Sequence, residues 1–154
     1  MKESLNTPSN NRNQKGVEIL SIGTELLLGN IVNTNSQWIA EQLYSLGLNH
    51  FRQSTVGDNP KRIISIVQEI SSRSNLLITT GGLGPTPDDL TTEAIAKSFN
   101  ASLFEREGLW EAIEQKLSKS LLNFDSSLRK QCFFPKDAQI INNPRGTAPG
   151  MIWE

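Results

Sequence analysis

The segment Asn75-Leu76-Leu77-Ile78-Thr79-Thr80 followed by Gly81-Gly82-Leu83-Gly84-Pro85-Thr86-Pro87-Asp88-Asp89 constrains this chain more than any other. A short unbroken apolar run reads as a strand buried on both faces of a parallel sheet. It enters Gly81, Gly82 and Gly84, where the backbone can approach an anion closely. Helical patterning resumes at Leu90, so the turn also offers unpaired N–H groups and the positive end of a helix dipole. That combination suits a phosphate-bearing ligand. Two adjacent carboxylates would repel such a ligand unless a cation stands between them, which points to a divalent metal. No Gly-Lys-Ser/Thr follows Gly84, and the glycines are not spaced as G-x-G-x-x-G. Neither a P-loop nor a dinucleotide fingerprint is present.

The rest of the chain alternates strands and helices. Residues 1–16 are rich in Asn, Ser and Lys and are expected to be a disordered tail. Residues 17–22 read as a first strand ending at Gly23. A long connection, with Leu26, Leu27 and Leu28 as an apolar patch, leads to a helix over 36–46. Its stripe is Trp38, Ile39, Leu43 and Leu46, and Gly47 closes it as a left-handed cap. Residues 51–56 read as a second strand. Asn59 and Pro60 then form an N-cap and first-turn pair. The helix behind them buries Ile63, Ile64, Val67 and Ile70. Further helices are predicted over 90–99, 107–121 and 126–132, with brief strands over 139–141 and from Met151. This order implies an open parallel sheet covered on both faces. Ligands of such sheets bind beyond the carboxyl ends of the strands, so Gly23, Asp58 and Gly81 should meet at one rim.

The bulk properties exclude several classes. The 154 residues fit one domain with a sizeable core. A net charge of -1 with scattered Lys and Arg gives no basic patch for nucleic acid. No segment is long and apolar enough to span a bilayer, and the N-terminus has no secretory h-region, so no membrane partner and a cytoplasmic location are expected. The lone Cys132, inside Gln131-Cys132-Phe133-Phe134, reads as a buried apolar thiol and excludes an internal disulfide.

Each candidate residue has an ordinary structural reading. Asp88 or Asp89 could cap the helix that follows, but one cap needs one aspartate and the other is left over. Asp58 could be a turn residue, although Asn59 is better placed to cap. Two carboxylates brought together at a phosphate would hold Mg²⁺. Thr79, Thr80 and Thr86 can add hydroxyl donors or merely suit a strand and a turn. Asn33, Thr34 and Asn35 are ligand contacts or an N-cap cluster. Glu25 is a site acid or a solvated loop residue. His50, the single histidine, reads as a surface residue, and Trp38, Trp110 and Trp153 read as packing residues.

Four motifs in order carry a family resemblance. They are Ser21-Ile22-Gly23-Thr24-Glu25-Leu26-Leu27-Leu28-Gly29 with Asn33-Thr34-Asn35, then Val56-Gly57-Asp58-Asn59, then the glycine loop, then Asn143-Pro144-Arg145-Gly146-Thr147-Ala148-Pro149-Gly150. Together they resemble the molybdopterin-binding superfamily, and the wording of the glycine loop resembles the N-terminal domain of the competence/damage-inducible CinA proteins. The resemblance covers residues 17–154. It implies a three-layer α/β/α domain with a mostly parallel sheet, of the MoaB/Mog-like type. It also implies hydrolysis of ADP-ribose to AMP and ribose 5-phosphate with a divalent metal (Mg²⁺, Mn²⁺ or Co²⁺), as part of pyridine-nucleotide recycling.

Carried onto this chain, the resemblance makes Asp89 and Asp58 catalytic and metal-holding, with Asp88 as a further ligand. Gly81, Gly82, Gly84, Thr80, Thr86, Gly146 and Thr147 become the phosphate and nucleotide contacts. Arg145 could pair with a phosphate. Relatives of this fold often self-associate, so a homo-oligomer is possible for the chain. Two alternatives stand beside this reading: molybdopterin binding or adenylylation, and a non-catalytic module of a nicotinamide-nucleotide amidase. CinA-like proteins continue into a deamidase domain, and a chain that stops at Ile152-Trp153-Glu154, with a strand barely begun, is expected to be C-terminally truncated.

Overall fold

The computed structural model describes residues 16–120 and 126–154. The expected tail therefore lies outside the described residues except for Gly16, as does Leu121 at the end of the predicted 107–121 helix. Strand β1 (Val17–Ile22) is followed by a short helix α1 (Thr24–Leu27) and then by α2 (Thr34–Ser45). Next come β2 (His50–Val56), α3 (Pro60–Arg73), β3 (Leu76–Thr80) and α4 (Thr91–Ser98). A second part holds β4 (Leu103–Glu105), α5 (Leu109–Ser120), a 3-10 helix (Ser126–Cys132) and β5 (Phe133–Pro135). The chain closes with β6 (Gln139–Ile141) and β7 (Gly150–Ile152).

Alternation along β1 builds the three layers. Leu20 and Ile22 point to one face, where they pack with Ile63, Val67 and Ile70 of α3 and Ala94 and Ile95 of α4. Val17 and Ile19 point to the other, against Ile39, Ala40 and Leu43 of α2. Ile63, Val67 and Ile70 are each at most 1% exposed, and burial of such side chains stabilises by about 2 kcal/mol apiece. The sheet order is β2-β1-β3, with both pairings parallel, so the result is an α/β/α sandwich. β4 pairs antiparallel with β5, and β6 with β7. A separate apolar cluster forms around Ile113, Leu117, Leu128 and the fully buried Cys132.

Local signals explain the element ends. The Asn59 side chain accepts from the Arg62 amide and Pro60 begins α3. Gly47 follows α2 with φ +68 and so closes it without a Cβ penalty. Asn33, rather than Thr34 or Asn35, caps α2 by accepting from Ser36 N.

Three expectations are corrected. β3 is not buried on both faces. Among the described residues it lies at the sheet edge, with Leu76 46% exposed, because an apolar run does not reveal whether a strand has one neighbour or two. Trp38 and Leu46 of the predicted α2 stripe are exposed, and the apolar packing of α2 on the sheet is made by Ile39, Ala40 and Leu43. The first connection is not all loop, because α1 forms within it. Among the described residues no helix is long and apolar enough to cross a membrane.

Candidate functional site

The chain leaves β1 for β2 on one side, then returns to β3 on the other. The order of a doubly wound sheet therefore reverses between β1 and β3, and the crevice for a ligand opens at the carboxyl ends of those two strands. The loops that follow β1, β2 and β3 all meet there. Gly23 N donates to the Val56 carbonyl at 2.9 Å. Thr24 N donates to Asp58 Oδ2 at 2.7 Å, and Asp58 N donates back to Thr24 Oγ1 at 3.2 Å. Asn33 Nδ2 reaches Ser21 Oγ at 2.8 Å, and Asn35 Nδ2 reaches Thr80 Oγ1 at 3.2 Å. Glu25 folds back over Gly23, where a Cβ would fall 2.5 Å from its Oε1.

The glycine loop is shaped by contacts within the protein. Gly81 has φ +95, and a Cβ on it would stand 2.0 Å from the Ile22 carbonyl oxygen. Only glycine lets the end of β3 cross the end of β1 so closely. A Cβ on Gly84 would stand 2.4 Å from Asp89 Oδ2. The buried Thr91, first residue of α4, ties the turn down: its Oγ1 donates to the Gly81 carbonyl at 2.8 Å and its N to the Gly82 carbonyl at 3.2 Å.

The two aspartates do not cap α4. Leu90 holds the cap position, with no side-chain cap bond. Asp89 instead turns back into its own loop, where its Oδ2 accepts from Thr86 N at 3.0 Å. Thr86 Oγ1 lies in hydrogen-bond contact with both Asp88 Oδ1 and Asp89 Oδ2. A hydroxyl carries one proton, so it satisfies one carboxylate at a time. The Thr86 hydroxyl bond, a backbone amide and the Lys130 charge hold the Asp88 carboxyl below its ordinary value.

Sequence reasoning missed the residues that brace this loop. Lys130 Nζ donates to the Thr86 carbonyl at 2.8 Å and to the Asp89 carbonyl at 2.5 Å. Gln131 Nε2 donates to the Leu83 carbonyl at 3.0 Å. Among the described residues, the buried Gln131 Oε1 has no hydrogen-bond partner. Both residues stand more than 40 positions from the loop and in no recognisable motif, so only the fold reveals them.

The predicted set is thus divided. Gly81, Gly82, Gly84, Thr86, Asp88 and Asp89 form one loop at the crevice, with Thr80 at its start. Asp58 shares the rim but is bonded to Thr24, and among the described residues no three His, Cys, Asp or Glu form a metal-holding group. Gly146 is tied elsewhere: its N donates to Asn143 Oδ1 at 3.0 Å and its carbonyl accepts from Lys116 Nζ of α5 at 3.2 Å. Thr147 follows in the same loop, which Asn143 Nδ2 closes on the Ala148 carbonyl at 2.9 Å. Arg145 is exposed.

A parallel sheet with its reversal at β1 and β3, and a glycine loop at that point, define a doubly wound α/β ligand-binding domain. The family described as "Probable molybdopterin binding domain" matches residues 18–154, and the chain belongs to that family, within its CinA-like branch. It is 77% identical to a CinA-like protein of Prochlorococcus marinus strain MED4, over 100% of this chain and 36% of the relative. The chain therefore spans about a third of the length of the curated relatives it matches. Among solved structures, the protein CinA of Thermoplasma acidophilum is 32% identical with a TM-score of 0.81, covering 89% of this chain and 80% of that one. The molybdopterin biosynthesis Mog protein of Mycobacterium ulcerans is 22% identical with a TM-score of 0.51, covering 87% and 88%, and shares the fold.

Proposed function

We propose that the domain is a metal-dependent nucleotide pyrophosphatase that hydrolyses ADP-ribose to AMP and ribose 5-phosphate. One observation carries this reading. At the β1/β3 crevice two carboxylates share a single hydroxyl proton, beside a glycine loop of the kind that accommodates phosphate. The acceptor excess and the hard oxygen donors fit a divalent cation held by Asp88 and Asp89. Asp58, at the same rim, accepts from Thr24 N and so fixes the start of α1 there. Bound there, Mg²⁺, Mn²⁺ or Co²⁺ would supply Lewis acidity to a phosphoryl oxygen.

The chain's own residues do the rest. Amides of the glycine loop receive phosphate oxygens. Asp89, anchored on Thr86 N, keeps its carboxylate at the mouth of the loop. Positioning and charge neutralisation are the main requirements of phosphoryl chemistry. The family match and the Mog likeness support a second reading, molybdopterin binding or adenylylation, in the same crevice.

The experiment is AMP release from ADP-ribose with each metal added in turn, and Asp89→Asn as control. Metal-dependent release that falls about a hundredfold or more in Asp89→Asn, with stability changed by less than about 1 kcal/mol, is the expected result. An Asp89→Asn protein as active as the parent would sink the metal-anchor role. Folded protein that releases no AMP would favour molybdopterin chemistry.

A further inference from the structure

The loop at the crevice is braced from outside as well as by its own bonds. Its hairpin, residues 86–89, has one backbone bond of its own, from Asp89 N to the Thr86 carbonyl at 3.1 Å. The Lys130 ammonium bonds that same Thr86 carbonyl and the Asp89 carbonyl, so it clasps both ends of the hairpin at once. Behind the loop lies a small cavity of about 20 Å³, bordered by Gly82, Gly84, Asp89, Glu93, Lys130 and Gln131. Lys130 is the one cation of that lining among the described residues, against the two carboxylates Asp89 and Glu93. Lys130 is half-buried and belongs to the 3-10 helix of the second apolar cluster, so its backbone is held independently of the loop.

We propose that Lys130 is a positioning residue for this site: clasping the Thr86 and Asp89 carbonyls, it fixes the hairpin that presents Asp88 and Asp89 to the ligand. The proposal rests on the reading of this loop as the phosphate site, and goes beyond it by making the site depend on a residue outside the loop. The chemistry explains why a lysine serves. An ammonium has three donors for two carbonyls and places a positive charge beside adjacent carboxylates. A neutral side chain of the same length would strip the Asp89 carbonyl of its Lys130 donor, leave the Thr86 carbonyl with Asp89 N alone, and leave the carboxylates unopposed.

The test compares Lys130→Met with Lys130→Arg in two measurements. The first is amide hydrogen exchange. Protection at Thr86 and Asp89 should fall about tenfold or more in Lys130→Met, while Ile19 and Leu20 of β1 keep theirs. The second is AMP release, in which kcat should fall about tenfold or more with KM moved less than about threefold. Lys130→Arg, which retains charge and paired donors, should recover most of both. Unchanged exchange and kcat in Lys130→Met would overturn the proposal. So would a loss of protection spread evenly through β1, or an arginine variant no better than methionine. If the parent protein releases no AMP, the hydrolytic reading fails, and the exchange pattern still decides the role of Lys130.

Discussion

The two ends of the parallel sheet each hold acidic side chains, and they treat them in opposite ways. At the amino end Glu18 is 3% exposed, yet both its oxygens are matched. Arg73 donates Nε to Oε1 at 2.7 Å and Nη2 to Oε2 at 2.8 Å, and Ser74 Oγ adds a bond at 2.6 Å. The Arg73 pairing, despite burial, holds the Glu18 carboxyl below its ordinary value. At the carboxyl end, Asp88 and Asp89 divide one threonine proton, with Asp88 exposed and Asp89 half-buried. A buried carboxylate already paired with a guanidinium on both oxygens is not open to a ligand. The contrast separates an acid that holds the sheet together from acids available for binding.

Three substitutions sharpen that contrast, beginning with the most damaging. Gly81→Ala sets a Cβ against the Ile22 carbonyl at a left-handed φ, and a loss of about 4 kcal/mol in urea unfolding is expected. Arg73→Ala strands the buried Glu18 carboxylate and should cost about 3 kcal/mol, leaving the glycine loop unaltered in its amide exchange. Equal stability of Arg73→Ala and parent would remove the ion pair from the account of the fold. The smallest effect is on pH dependence. Because the folded value for Glu18 is lowered, its stabilisation is complete above the ordinary carboxylate range and is lost as pH falls through the lowered value. The stability gap between parent and Glu18→Gln should therefore be wide at pH 7 and shrink on acidification. A gap that stays constant or widens would contradict the assignment.

Much of the scaffold was legible because its signals are local. Asn59-Pro60 marked the start of α3, Gly47 the end of α2, and 126–132 a short helix, each through backbone preferences acting within a turn. What depends on neighbours distant in sequence was not legible. The run Leu76-Leu77-Ile78 is as apolar as a central strand, and its edge position follows only from the order of the sheet. The aspartate pair looked like a helix cap plus a spare acid. In the fold neither caps, because Thr86 draws both into the loop. The glycines announced a close approach, but not that the nearest groups would be the Ile22 carbonyl and the Asp89 carboxylate. Lys130 and Gln131 gave no signal at all, since their partners lie 41 to 48 residues earlier.

That separation has a consequence for the order of events during synthesis. A chain emerging from the ribosome presents β1, β2, β3 and the glycine loop some 40 residues before Lys130 exists. The sheet can pair from these nearby segments, whereas the clasp must close a long loop and bear its entropy. The sheet is thus complete at a stage when the hairpin of residues 86–89 is still unclasped, and competence at the crevice is among the last properties the nascent domain acquires.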